Sequence, residues 1–218
     1  MEAKLNKLLV RTQALHNSAV EHVKGLRPIN DLRPRVAFQA GSLVLKHSFA
    51  IRSLIADEHL PSAFALFRPQ FESLVRGIWL LHAASDTWIE KFGQPLTVES
   101  AKQANEGLGF AGMLKGLESS SMAPIGIVVQ LREFKEATWK SLNSYTHGGI
   151  HPLTRLMSGY PPELTYHALQ NSNAVLALAL QLLSIVTGDI RNMEPIHHMH
   201  VEFADCFNLL PPYEASSE

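Results

Sequence analysis

The segment Leu142–Arg155, LNSYTHGGIHPLTR, places His147 directly before two glycines and His151 four residues further on. Imidazole is the side chain whose ordinary titration range lies nearest neutrality. A His at the open end of a helix is therefore a candidate general acid or base. Such an end carries unpartnered carbonyls and the negative pole of the helix dipole, which favour the cation of His147. The same features describe a plain helix stop, with glycines that tolerate left-handed backbone, and the sequence leaves both readings open. Tyr145 is placed to orient His147 or to pass a proton. The turn GGIHPL can bring His151 to the same cleft. The Gly-Gly break spoils any helical His-x-x-x-His zinc pair, so no metal and no cofactor is assigned.

A second set of chemical groups lies in FALFRPQFESLVRGIWLLH. At roughly 100° per residue, Phe64, Phe67, Phe71, Val75, Ile78 and His82 fall on one helix face. Arg68, Glu72 and Arg76 are spaced four apart and form a row beside it, with Trp79 on the border. Such a row offers one carboxylate between two guanidinium groups. It is either a boundary ion-pair network, contributing under about 1 kcal/mol, or an anion site, because guanidinium forks suit phosphate. Pro69 lies inside this helix and is expected to give a kink or a wide turn there, and to free a carbonyl near Arg68.

Three further groups carry weaker signals. Arg27, Arg33 and Arg35 in GLRPINDLRPR are candidates to hold a nucleic-acid backbone, or they sit on a solvated connecting loop. In IHHMH, His197 and His200 share a helix face near Glu202, which reads as a solvated or dimer-facing surface with incidental metal affinity. Cys206 stands among apolar residues and reads as core packing. There is no Gly-rich phosphate loop and no Gly-x-Ser-x-Gly elbow.

The elements that must position these groups are helical. Leu5, Leu8, Leu9, Thr12, Leu15, Ala19 and Val23 recur at three and four residues and predict a first amphipathic helix, ended by Gly25 and Pro28. The two Arg-Pro pairs place the following loop outside regular helix, with a second helix over Val36–Asp57. Ser62 is expected to cap a third helix to about Ala84, and a short helix follows at TWIEKF. Thr97 is expected to cap VESAKQANEGLGFAGMLKGLE. Pro124 opens a helix ending at Tyr145 or His147, with Gly148 and Gly149 as its stop. Ser158–Pro162 reads as a turn, Glu163 to about Asp189 as a long central helix, and Pro195–Phe207 as the last. No alternating strand pattern and no repeat occurs. The expectation is an all-α fold, a single-domain bundle of about seven to nine helices over residues 1–210, with a disordered tail over 211–218.

Composition sets outer bounds. The chain has 218 residues, 46% of them hydrophobic and 18% charged, enough apolar material for one core. A net charge of −1 lacks the positive excess of a strongly basic nucleic-acid binder. With 11 histidines, motifs containing His arise easily by chance. A single cysteine permits no internal disulfide and fits the cytoplasm. The charged N-terminal segment is not a secretory signal. The longest apolar run, Ala174–Val186, is shorter than the roughly 20 residues of a membrane span, so no membrane association is expected.

The pairing of FRPQFESLVRGIWLL with LNSYTHGGI resembles a family of uncharacterised bacterial all-helical proteins with an Arg-Pro-x-x-Glu helix and a Tyr-x-His-Gly segment. Such proteins look distantly similar to the HEPN superfamily, which includes ribonuclease toxins and abortive-infection proteins. That resemblance implies a four-helix core, a homodimer, and metal-independent RNA cleavage by an Arg and a His separated by four to six residues. Four stretches fit the loose spacing: RTQALH, RSLIADEH, RGIWLLH and RNMEPIH. The pattern therefore does not choose among them. The expected function is a HEPN-like endoribonuclease, a toxin or phage-defence effector with RNA as substrate and an antitoxin as partner. His147 would be its base or acid, Arg68 and Arg76 its anion stabilisers, Glu72 and Tyr145 their supports, and Arg33, Arg35 and His151 its substrate contacts. The competing readings are a non-catalytic dimerisation or binding module and a sensor of a small anion such as a nucleotide.

Overall fold

The computed structural model of the chain describes residues 1–100 and 108–208. Among these residues every regular element is helical: α1 (Glu2–Lys24), α2 (Leu32–Ala56), α3 (Leu60–His82), α4 (Asp86–Gly93), α5 (Phe110–Glu118), α6 (Ile125–Thr146), α7 (Ile150–Ser158), α8 (Pro162–Ile185) and α9 (Glu194–Glu202). Two short 3-10 turns, Ile190–Met193 and Ala204–Cys206, flank α9. The all-α bundle expected from periodicity is the architecture found. The expected tail at 211–218 lies outside the described residues, as does the middle of the segment after Thr97. At the start of that segment the Thr97 hydroxyl does accept from the Ser100 N–H at 3.1 Å, as a cap should.

The elements pack as two layers that share α3. On one side α2 and α3 form a hairpin, α8 lies against both, and α1 lies on α8. On the other side α5 and α6 cover α3. The predicted apolar face of α3 is the seam: Phe64, Phe67, Phe71, Val75 and Ile78 are all buried. Where α2 meets α3, Gly77 allows close approach. A Cβ there would stand 2.6 Å from Leu182 and 3.3 Å from Ala40. Helix α8 has the length and hydropathy of a membrane span, but 67% of its most apolar window is buried inside the fold. It is a core helix, as its all-round apolar pattern predicts.

Three boundaries differ from expectation, for one physical reason. Helix α2 begins at Leu32, not Val36, because Asp31 caps it and Pro34 falls in the first turn. Helix α3 begins at Leu60, with Pro61 and the cap candidate Ser62 both inside its opening turn and His59 at the cap position. Helix α7, IHPLTRLMS, opens inside the stretch GGIHPL that was read as a turn, with Pro152 as its third residue. First-turn N–H groups have no intrahelical partner, so proline forfeits nothing there.

Candidate functional site

The site begins with a missing hydrogen. Pro69 cannot donate to the carbonyl of Ala65, so one acceptor in the middle of α3 is left without its helical partner. Helix α3 runs through Pro69 without a break, contrary to the expectation of a wide turn. The freed Ala65 carbonyl accepts from the Thr146 hydroxyl instead, at 3.2 Å. Thr146 is the last residue of α6. The proline thus provides a docking point for the end of α6, and the residue after that point is His147.

The end of α6 is shaped for this. Gly148 has φ +64°, and the Gly149 N–H donates to the Ser144 carbonyl at 2.7 Å, the six-residue closure of a Schellman stop. Ser144 Oγ also accepts from the His151 N–H at 3.0 Å. One serine therefore fixes both the end of α6 and the start of α7. Tyr145 anchors the same turn from inside. It is 7% exposed, and its ring lies 4.8 Å from that of Phe64.

Docked in this way, exposed His147 meets Arg68: a guanidinium nitrogen of Arg68 hydrogen-bonds Nε2 of the imidazole. Guanidinium has donors and no acceptor, so Nε2 must present its lone pair. Arg68 is in turn held by Glu72, with Nε donating to Oε1 at 2.8 Å. The side chains of Arg68 and Glu72 are 21% and 24% exposed. The guanidinium also lies 5.1 Å from the Trp139 ring, and Trp139 stacks on Phe110 at 4.0 Å. The result is a carboxylate–guanidinium–imidazole line on an aromatic shelf, with its imidazole end at the surface. Such a line can present a cation to an anion and a lone pair to a proton at adjacent points.

The other candidate residues lie elsewhere or do other work. Arg76 is not joined to Glu72 by an ion pair among the described residues. Its Nε is buried without a partner, and its guanidinium lies 5.8 Å from Phe92. Arg33 closes the C-terminus of α3, donating to the carbonyls of Leu80 and Ala84 at 2.8 Å each and to Asp86 at 2.7 Å. Arg35 is exposed on α2. His151 is exposed, with its ring 5.6 Å from that of Tyr145.

Among the four Arg/His spacings, Arg11 pairs with Asp205 at 3.1 Å and Arg191 with Asp189 at 2.7 Å. Within the described residues, no Arg of these stretches is hydrogen-bonded to the His of its own stretch. The described residues contain no group of three His, Cys, Asp or Glu arranged to hold a metal ion, IHHMH included. Cys206 is buried, and burial with the nearby Asp205 raises its thiol to about 12, which suits the core role read from sequence.

Two participants escaped the sequence reading. Thr146 was hidden because its partner is a carbonyl exposed by a proline 77 positions earlier. Trp139, on α6 ahead of His147, carried a usable signal: a tryptophan on the helix that delivers the imidazole.

A family model described as a family of unknown function (DUF6988) matches residues 41–209. No curated protein and no solved structure matches the chain. The chain belongs to DUF6988, and the matched span includes both the Arg-Pro-x-x-Glu helix and the Tyr-x-His-Gly segment.

Proposed function

We propose that this DUF6988 chain is a metal-independent endoribonuclease of the HEPN kind, acting as a toxin or defence effector, with Arg68 and His147 as its reacting pair. The observation that carries the reading is their direct contact at the surface, built by Pro69 and Thr146 and backed by Glu72. A charged phosphodiester oxygen is a stronger acceptor for a guanidinium than an imidazole nitrogen. When RNA enters, Arg68 redirects its N–H hydrogen bond from the imidazole to the phosphate, keeping its proton, and Nε2 of His147 is released beside the ribose. Nε2 then takes the proton of the 2′-hydroxyl as that oxygen attacks phosphorus. The bond from phosphorus to the 5′-oxygen breaks, leaving a 2′,3′-cyclic phosphate. The departing 5′-oxygen takes up a proton from solvent at this exposed site, and the proton gained by His147 returns to solvent, so the step balances.

The test is incubation of purified protein with total RNA, followed by analysis of the new ends. The expected products carry 2′,3′-cyclic phosphate and 5′-hydroxyl. His147→Ala should lower the rate by roughly 10²–10⁴-fold, the usual contribution of a general base. Expression should arrest growth, and the same substitution should relieve the arrest. No cleavage by the wild-type protein, together with normal growth, overturns the proposal. Stabilisation by nucleotides that Arg68→Ala abolishes, without cleavage, replaces it by the anion-sensor reading.

The homodimer is proposed with it. Helix α7, which follows the site, turns Ile150, Leu153, Leu156 and Met157 outward at 74%, 60%, 69% and 91% exposure. Light scattering of wild type against Met157→Glu tests the dimer. A neutralising antitoxin is the partner such a toxin requires.

A further inference from the structure

The chain has a second place where polar groups gather, between α1 and α2 and away from Arg68 and His147. His16 and Asn17 of α1, with Phe49, Arg52 and Ser53 of α2, line a cavity of ≈ 180 Å³. Three observations give it chemical character. First, Arg52 makes no ion pair among the described residues, and its Nε is buried without a partner. No carboxylate lines the cavity, so half-buried Arg52 offers it a guanidinium with no counter-charge in the wall. Second, His16 is 4% exposed and its Nε2 has no partner. Burial and the neighbouring Arg52 push it down to about 3, so it stays neutral and adds no second positive charge. Third, Gln13 donates its amide to Oδ1 of Asn17 at 2.8 Å. That bond leaves the Asn17 amide nitrogen as a further uncommitted donor at the rim.

The walls are as informative as the donors. The Phe49 ring packs on the His16 ring with centroids 4.7 Å apart, so one side of the cavity is aromatic. A cavity of about 150 Å³ already admits benzene, and a space of this size takes a molecule of about ten heavy atoms. One guanidinium supplies one unit of charge in a fork matched to a carboxylate.

We propose that this cavity binds a small monoanionic carboxylate with a flat apolar body, its carboxylate on Arg52 and its body against Phe49 and His16. The site is separate from the pair proposed for RNA cleavage, and its occupant would brace α1 against α2.

Benzoate, acetate and inorganic phosphate are the probes, added to the full chain in thermal unfolding, with the His16 ring nitrogens followed by NMR. Benzoate at a hundredfold excess over its Kd should raise Tm by roughly 5–10 °C and move the His16 signals. Acetate should act more weakly, and phosphate least. Arg52→Gln, which keeps a polar side chain, should abolish the shift, whereas His147→Ala should leave it intact. The second variant separates this site from the catalytic proposal, whose failure would not touch the result. No stabilisation by any probe at millimolar concentration overturns the site. An equal shift in Arg52→Gln shows adventitious binding and also overturns it. Phosphate acting more strongly than benzoate overturns the carboxylate assignment.

Discussion

The link between Pro69 and Thr146 can be isolated by a double-mutant cycle. Thr146→Val keeps the side-chain shape and removes only the hydroxyl that the Ala65 carbonyl accepts, a part-buried bond of 3.2 Å. A net hydrogen bond contributes about 0.5–1.5 kcal/mol. The length and partial exposure of this one place it at the lower end, about 0.5–1 kcal/mol. For a chain of 218 residues that is a fall in Tm of about 1–4 °C. Pro69→Ala returns a backbone N–H to position 69, which can then serve Ala65 through the ordinary helical bond. In that background Thr146→Val should cost almost nothing, so the coupling energy should equal most of the single-mutant cost. Urea unfolding of the four proteins, with m-values compared, measures it. The same substitution should also loosen the contact of His147 with Arg68, visible as a shift of the imidazole nitrogen signals. Additivity of the two substitutions within about 0.3 kcal/mol would show that the proline does not create the docking point, and the account of how the site is built would fail.

Two further outcomes follow from particular contacts. Arg33→Met should destabilise the fold by about 2–3 kcal/mol, because two main-chain carbonyls at the end of α3 lose charge-assisted donors. Asp86→Asn should change stability by less than about 0.5 kcal/mol, since the Asp86 side chain is 92% exposed; chemical denaturation compares the two, and equal effects would refute the clamp. His16 is neutral in the folded chain down to about 3 and ordinary, near 6.5, once unfolded. The unfolded state therefore binds the extra proton first, so stability present above pH 6.5 is lost progressively as pH falls from 6.5 toward about 3. His16→Gln should flatten that acid limb by up to about 1.4 kcal/mol per pH unit, measured by urea unfolding across the range; parallel curves for the two proteins would refute it.

The contrast between what could and could not be read from the residues has a single physical pattern. Interactions within one helix follow from spacing. The buried face of α3, the Arg68–Glu72 pair and the double-glycine stop after α6 were all visible that way, because a 3.6-residue period sets them. Pro28 was read correctly as lying beyond a helix end, but prolines at helix starts were harder to place. Pro34, Pro61 and Pro152 each sit in a first turn, where no N–H is needed, whereas Pro195 was read correctly as a beginning. Interactions between helices were beyond reach for a different reason. Arg33 was read as a nucleic-acid contact because nothing in its neighbourhood names Leu80 or Ala84, which lie 47 and 51 positions away. Arg76 looked equivalent to Arg68 because periodicity assigns a face and not the object facing it.

The meeting of His147 with Arg68 spans 79 positions and belongs to the same class, yet it has a local cause. A proline four residues after Ala65 leaves a carbonyl without a donor, and a threonine just before the imidazole supplies one. Neither residue is reactive. Each is the kind of residue that a search for chemistry passes over, and together they determine which Arg of the α3 row receives the His. The test of that division of labour is whether Thr146→Ser, which keeps the hydroxyl and drops the methyl, preserves the His147 signals that Thr146→Val shifts. Preservation assigns the positioning to the hydrogen bond. An equal shift in both variants assigns it to packing of the methyl, and the proline would then be incidental.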